Sequence, residues 1–217
     1  MSIARGFASV VIDVDSTLCG IEGIDWLSER RGAEIGIAVA ELTDKAMRGE
    51  IPLDSVYGAR LDLVRPSSDE IASLAAAYRA ALAPGAAEAI AALQHAGRRV
   101  VLVSGGLREA IVPVARILGI TEHDVHAVSL RSDAAGNFSG FDERSPLTTA
   151  AGKAEVVRSL DLPRRVLAVG DGATDLAIRP VVDAFAAFTG YVRRAPVVAG
   201  ADATIDSFAQ LLELVLE

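Results

Sequence analysis

The 217-residue chain carries a single cysteine, Cys19. One thiol cannot close a disulfide within the chain, and a reducing compartment fits that usage, so the cytoplasm is the expected location. Long apolar runs are also missing. The stretch from Phe7 to Ile12 is interrupted by Asp13 and is too short for a secretory signal or a membrane span. Basic charge is scarce: 21 Lys and Arg stand against 29 Asp and Glu, a net charge of −8. A general nucleic-acid binder carries a basic face, so no nucleic-acid partner is expected. A small anion is not excluded, because it needs only a local cluster of donors and cations. Internal repeats and low-complexity linkers are missing as well. What remains is an Ala-rich chain with 51% hydrophobic residues, enough to repay the entropy of ordering it. Its length suits one well-buried core plus a modest insertion, or two small domains sharing an interface.

Phe7 to Asp15 reads as a buried strand ending in carboxylates, because a near-continuous apolar run suits a central parallel strand covered on both faces. Arg99 to Ser104 and Arg165 to Asp171 repeat that pattern, each ending in small or polar residues. Asp183 to Ala187 is a weaker fourth strand and Ala203 to Ile205 a fifth. Helices are predicted between them, over Pro84 to Ala96 with Gly97 just past its end, Leu107 to Leu118, Thr149 to Leu160 and Asp206 to Leu216. Pro113 must lie in a first turn or kink its helix. Alternating strands and helices imply a parallel α/β sheet. Two segments break the rhythm. Residues 20 to 80 contain no convincing strand and read as several helices, one starting at the capping-box pattern Ser67-Ser-Asp-Glu70, with Ile71, Leu74, Tyr78 and Leu82 at helical spacing. Val125 to Asp142 suggests a β-hairpin around Asp133-Ala-Ala-Gly-Asn137.

Ligands of an open parallel sheet bind beyond the carboxyl ends of its strands. The three best strands end in Asp13 and Asp15, in Ser104-Gly105-Gly106, and in Asp171 with Asp175 nearby. Side by side, they collect four mutually repelling carboxylates at one edge. A divalent cation relieves that repulsion, and oxygen ligands suit magnesium. With a cation, Lys153 and backbone amides to offset charge, Asp13 could attack a phosphate, and Asp15 could protonate the leaving oxygen and later take a proton from water. An isolated Asp-x-Asp after a strand is usually a turn or helix cap, and Ser-Gly-Gly alone says less still. Their ordered occurrence at successive strand ends, with a lysine before the last, is far more specific.

Asp13-Val-Asp-Ser-Thr-Leu18, Ser104-Gly-Gly106, Lys153 and Gly170-Asp-Gly-Ala-Thr-Asp175 resemble the four motifs of the haloacid dehalogenase superfamily. From Val11 to the C-terminal helix the pattern is similar to that of its phosphoserine phosphatases. The resemblance implies a Rossmann-like core, residues 1–18 and 81–217, with a helical cap, residues 19–80, inserted after the first strand. It implies that Asp13 is the nucleophile and Asp15 the general acid/base. Mg2+ would be held by Asp13, Asp171 and the backbone carbonyl of Asp15, with Asp175 supporting the site. Ser104, Gly105 and Lys153 would hold phosphate, with Thr174 near it.

In the cap, Glu22-Gly-Ile-Asp25, Lys45-Ala-Met-Arg-Gly49 and Arg60-Leu-Asp-Leu-Val-Arg-Pro-Ser67 are similar to the segments that meet the substrate's amino-acid part. Those roles fall on Glu22 for the ammonium, Met47 as a contact and Arg60 for the carboxylate. The chemistry agrees, since a planar guanidinium matches a carboxylate. Family members often have Phe where Leu53 stands, which changes the shape of the pocket wall. The expected reaction is hydrolysis of O-phospho-L-serine. The motifs also allow transfer to another alcohol such as homoserine, or a different small phosphate ester. A non-enzymatic phospho-aspartate receiver is disfavoured by Asp15 and the cap. No N-terminal regulatory domain is expected. Cys19, His95, His123 and His126 receive no chemical role, and the pairs Arg30-Arg31, Arg164-Arg165 and Arg193-Arg194 are expected at the surface. The sequence leaves oligomeric state open.

Overall fold

The computed structural model describes residues 6–47, 50, 51 and 53–216. The chain begins with β1 (Ser9–Ile12) and then four helices in succession: α1 (Gly23–Arg30), α2 (Ala33–Met47), α3 (Leu53–Val64) and α4 (Ser68–Ala80). Next come α5 (Ala86–His95), β2 (Arg99–Leu107), α6 (Arg108–Ile117) and β3 (Val125–Val128). A short antiparallel pair follows, β4 (Leu130–Ser132) and β5 (Phe138–Phe141). The chain closes with α7 (Gly152–Ser159), β6 (Val166–Gly170), α8 (Ala173–Leu176), β7 (Ala184–Phe188), α9 (Ala195–Gly200), β8 (Ala203–Ile205) and α10 (Phe208–Leu216).

Six strands form one parallel sheet in the order β3-β2-β1-β6-β7-β8. The fold is thus α/β with a Rossmann-like sheet, a helical insertion after the first strand and a small separate hairpin. The alternation of side chains explains why both faces are apolar. Val10 and Ile12 of β1, Val100 and Leu102 of β2, and Leu167 and Val169 of β6 join a core with α5, α6 and α10. Val11, Val101, Val103 and Ala168 point the other way, to a second core with Val157 of α7 and Val197 of α9. Strand order reverses at β1, with β2 on one side and β6 on the other. That switch point opens a crevice beyond the strand tips.

The helical insertion leaves and rejoins the sheet layer at one seam. Gly20 N–H donates to the Ala81 carbonyl at 2.8 Å, and Ala83 N–H donates to the Leu18 carbonyl at 2.9 Å. Its last helix starts with the capping box that Ser67 and Glu70 predict. Ser67 Oγ accepts from Glu70 N–H at 3.3 Å, and the Glu70 carboxylate accepts from Ser67 N–H at 2.8 Å. Gly97, just past α5, adopts φ +72°, the left-handed conformation its position calls for.

The structure corrects two sequence expectations and excludes the first-turn alternative for Pro113. Val125–Val128 is not part of the hairpin; it pairs parallel with β2 as an edge strand of the main sheet, so the sheet has six strands rather than five. A half-buried edge strand of four residues carries too short a pattern to separate from the hairpin that follows. Pro113 lies inside α6, past its first turn, where its missing N–H and ring disturb the bond to the Glu109 carbonyl. The arginine pairs are not uniformly at the surface. Arg30, Arg31, Arg164 and Arg193 are exposed as expected, Arg31 while donating to the Val64 and Arg65 carbonyls at the end of α3. Arg165 is half-buried with its guanidinium 5.3 Å from the Phe7 ring centre. Arg194 reaches a carboxylate at the sheet's edge.

Candidate active site

Asp13 is the first residue past β1, and Asp171 the first past β6. Because these strands are hydrogen-bonded neighbours in register, Ile12 against Val169, the two carboxylates emerge side by side. Asp13 N–H donates to the Val169 carbonyl at 3.0 Å and continues the ladder to the strand tip. Asp175 comes from α8 and folds back over Gly170. A Cβ on Gly170 would sit 2.2 Å from Asp175 Cγ, so only glycine permits this approach. Asp13, Asp171 and Asp175 are all buried, and one oxygen of each lies within 4.8 Å of the others.

Lys153, from the first turn of α7, enters the cluster from below. Its buried ammonium donates to Asp13 Oδ1 at 2.5 Å and to Asp175 Oδ1 at 2.7 Å. Asp175 Oδ2 accepts from Gly172 N–H at 2.9 Å, so both its oxygens are engaged. Asp171 accepts from the buried Thr17 hydroxyl at 3.3 Å and forms an ion pair with Arg194. Burial, then Asp175, push the Asp13 carboxyl well above the usual carboxylate range, while Lys153 pulls it back. Burial disfavours the Lys153 ammonium, but Asp13 and Asp175 outweigh it and hold its pKa above the ordinary lysine value.

This donor set fits a hard divalent cation. Among the described residues, these three carboxylates are the one group of at least three His, Cys, Asp or Glu arranged to hold a metal ion. All offer oxygen. Three acidic side chains face Lys153 and Arg194, and uncompensated buried charge costs several kcal/mol per ion. His123 and His126 take no part.

Asp15 stands apart from the other three. Its Oδ1 accepts from the Tyr78 hydroxyl at 2.6 Å and from Gly23 N–H at 2.8 Å. Burial and then Glu22 raise its pKa to about 6, against those two hydrogen bonds. A carboxyl tuned near neutrality suits proton transfer in both directions. Its second oxygen faces Gly106, where a Cβ would approach Asp15 Oδ2 to 2.9 Å and Ser104 Oγ to 3.1 Å. Ser104 is buried, and its hydroxyl accepts from Gly106 N–H at 2.9 Å. Ser16, between Asp15 and the insertion, is held at φ +52°, and its hydroxyl donates to Glu22 Oε1 at 2.7 Å. A non-glycine residue in that region costs about 1–2 kcal/mol, which the surrounding bonds offset.

The structure therefore brings Asp13, Asp15, Glu22, Ser104, Lys153, Asp171 and Asp175 together. Gly105 lies beside Ser104 at the tip of β2, and Thr174, half-buried, sits one residue before Asp175 on α8. Arg60, on α3, is directed to Asp25 of α1 as an ion pair rather than to Glu22. The Met47 side chain, like that of Leu53, lies outside the described residues. Sequence reasoning missed Thr17, Tyr78 and Arg194. For Tyr78 a signal existed: a tyrosine on a buried helical stripe must find a partner for its hydroxyl.

The profile of the haloacid dehalogenase-like hydrolases matches residues 10–179. The chain belongs to that family. It is 39% identical to the chloroplastic phosphoserine phosphatase of Arabidopsis thaliana over 98% of this chain and 73% of the relative. It is 38% identical to the phosphoserine phosphatase of Mus musculus over 94% of this chain and 91% of the relative. A solved structure described as a phospho-aspartyl intermediate analogue of phosphoserine phosphatase superposes with a TM-score of 0.78 at 23% identity, covering 97% of this chain and 99% of its own. The family and these relatives make the protein an enzyme of the phosphatase class. Among the described residues, no helix is long and apolar enough to cross a membrane.

Proposed function

We propose that the protein hydrolyses O-phospho-L-serine to L-serine and phosphate, the last step of serine biosynthesis, through an aspartyl-phosphate on Asp13. The observation that carries this reading is the buried cluster of Asp13, Lys153, Asp171 and Asp175 at two adjacent strand tips, with Asp15 poised near neutrality beside it. The substrate assignment is supported by the names of the relatives and by Glu22 and Arg60 on the insertion.

In this mechanism Lys153 engages Asp13 Oδ1 and leaves Oδ2 to attack phosphorus. As the new P–O bond forms, the bond from phosphorus to the serine oxygen breaks, and neutral Asp15 gives that oxygen its proton. Tyr78 and Gly23 hold the Asp15 carboxyl in place. Water then attacks phosphorus, Asp15 takes its proton back, and phosphate departs from Asp13. Ser104, the Gly105 amide, Lys153 and Thr174 hold the phosphate. Mg2+ is assigned to Asp13, Asp171 and the Asp15 backbone carbonyl, with Asp175 behind them, and when bound it offsets the charge of carboxylates and phosphate alike.

Residues 19–80 act as a cap on a core of residues 1–18 and 81–217, hinged at the Gly20–Ala81 seam. Glu22 receives the substrate ammonium and Arg60 its carboxylate; a contact from Met47 rests on the family resemblance. The single buried Cys19 supports a reducing compartment such as the cytoplasm.

A phosphate-release screen tests the reading. With magnesium present, phosphoserine should be turned over faster than phosphothreonine, sugar phosphates and an aryl phosphate, and equal turnover of all four would overturn the substrate assignment. Product analysis with added homoserine separates hydrolysis from transfer.

A further inference from the structure

Tyr57 and Arg60 lie three residues apart on α3, so their side chains share one face of the helix. The Tyr57 hydroxyl and Arg60 Nε are both buried, and neither has a hydrogen-bond partner among the described residues. Leaving a polar group buried and unpaired costs about 1–3 kcal/mol. Two such donors on one face of α3 are best explained by a ligand that fills them. The Tyr57 ring is fixed edge-on against Phe141 of the hairpin, with ring centres 5.5 Å apart. Burial and then the Asp15 charge raise the phenol well above its ordinary pKa. The hydroxyl therefore remains a proton donor, within electrostatic reach of the catalytic acid.

Arg60 uses one terminal nitrogen on Asp25, whose side chain is 48% exposed against 19% for Arg60. A pair open to water on one side is worth only about 0–1 kcal/mol, so an incoming carboxylate can exchange with Asp25 at little cost.

We propose that the Tyr57 hydroxyl is a specificity-determining donor, forming with Arg60 Nε a two-point cradle for the carboxylate of an amino-acid phosphate ester. This rests on the phosphoserine reading above and adds to it a residue outside the motifs.

The test compares phosphoserine with phosphoethanolamine, which has the ammonium and phosphate but no carboxylate, in the wild type and Tyr57→Phe. The wild type should prefer phosphoserine. In Tyr57→Phe the ratio of the two kcat/KM values should fall about tenfold, mainly through the KM for phosphoserine, with Tm unchanged or slightly higher because an unpaired buried hydroxyl is gone. In an Arg60→Ala background the Tyr57→Phe effect should shrink, as expected when two donors hold one group. If the wild type prefers phosphoserine and Tyr57→Phe keeps the full preference, the Tyr57 proposal alone is overturned. If Tm drops and both substrates suffer equally, the hydroxyl is structural and the proposal is again overturned. A wild type that does not distinguish the two esters overturns the carboxylate-bearing substrate and the cradle together.

Discussion

The tips of β1 and β6 and the helical insertion solve opposite problems. At the strand tips the polar groups already have partners: Lys153 bridges Asp13 and Asp175, Thr17 and Arg194 meet Asp171, and Tyr78 and Gly23 hold Asp15. On α3, by contrast, Tyr57 and Arg60 keep buried donors unpaired, and the Arg60–Asp25 pair is half open to water. The difference separates preorganised chemistry from recognition. Groups that stabilise a transition state must be in place beforehand, whereas groups that select a substrate must be free to receive it.

The largest expected effect tests the strand tips. Asp13→Asn should fold and lose turnover by about 10³-fold or more, because the proposed mechanism makes the Asp13 carboxylate the nucleophile. Steady-state phosphate release checks this, and persistent activity would move the nucleophile elsewhere. Lys153→Met should follow. It leaves Asp13 and Asp175 buried without their cation, a loss of about 3–5 kcal/mol in urea unfolding without metal. Added magnesium should recover part of that stability, since it binds the folded state through the same carboxylates.

Asp15 gives a prediction of opposite sign. Its folded pKa of about 6 lies above the ordinary 3.8 of aspartate, so the folded state binds its proton more tightly than the unfolded one. The stability it contributes is fully present below about pH 4 and is lost as pH rises through about 6. Asp15→Asn should therefore raise metal-free stability at pH 7 by about 2–3 kcal/mol, the gain shrinking toward pH 4, while catalysis is lost. A variant less stable than wild type at pH 7 would contradict that origin of the shift. Tyr78→Phe is a milder probe of the same group. Removing one donor to Asp15 should lower kcat several-fold and cost about 1 kcal/mol.

The smallest effect lies in the insertion, away from chemistry. Ser67→Ala removes the capping box of α4, which should lower stability by about 0.5–2 kcal/mol and leave the magnesium-dependent kcat within about twofold. A large kcat loss there would show that the insertion's stability and the site are more tightly coupled than the contrast implies.

The same contrast decides what the sequence makes legible. Asp13, Asp15, Ser104 and Asp171 stand out because their chemistry requires particular residue types near strand ends, and a strand end is visible as an apolar run meeting small and polar residues. Lys153 and Asp175, on α7 and α8, stand out by their order along the chain relative to those ends. The capping box of α4 is local and equally plain. Tyr57 is not visible in this way: nothing in its neighbours shows that its ring packs edge-on against Phe141 and that its hydroxyl is left unpaired. Arg194 reads as one of a surface pair until the β7–α9 loop folds it back onto Asp171. Val125–Val128 needed β2 beside it to be placed in the main sheet. In each case the missing information is tertiary, a partner supplied from far along the chain.

The central claim is a covalent phosphate on the carboxylate at the tip of β1. Acid quenching during steady-state turnover of phosphoserine with magnesium, followed by peptide mass analysis, tests it most directly. The peptide bearing Asp13 should carry one added phosphoryl group in the wild type and none in Asp13→Asn. Full turnover with no phosphorylated peptide at any quench time, or a phosphoryl group on another residue, would contradict it.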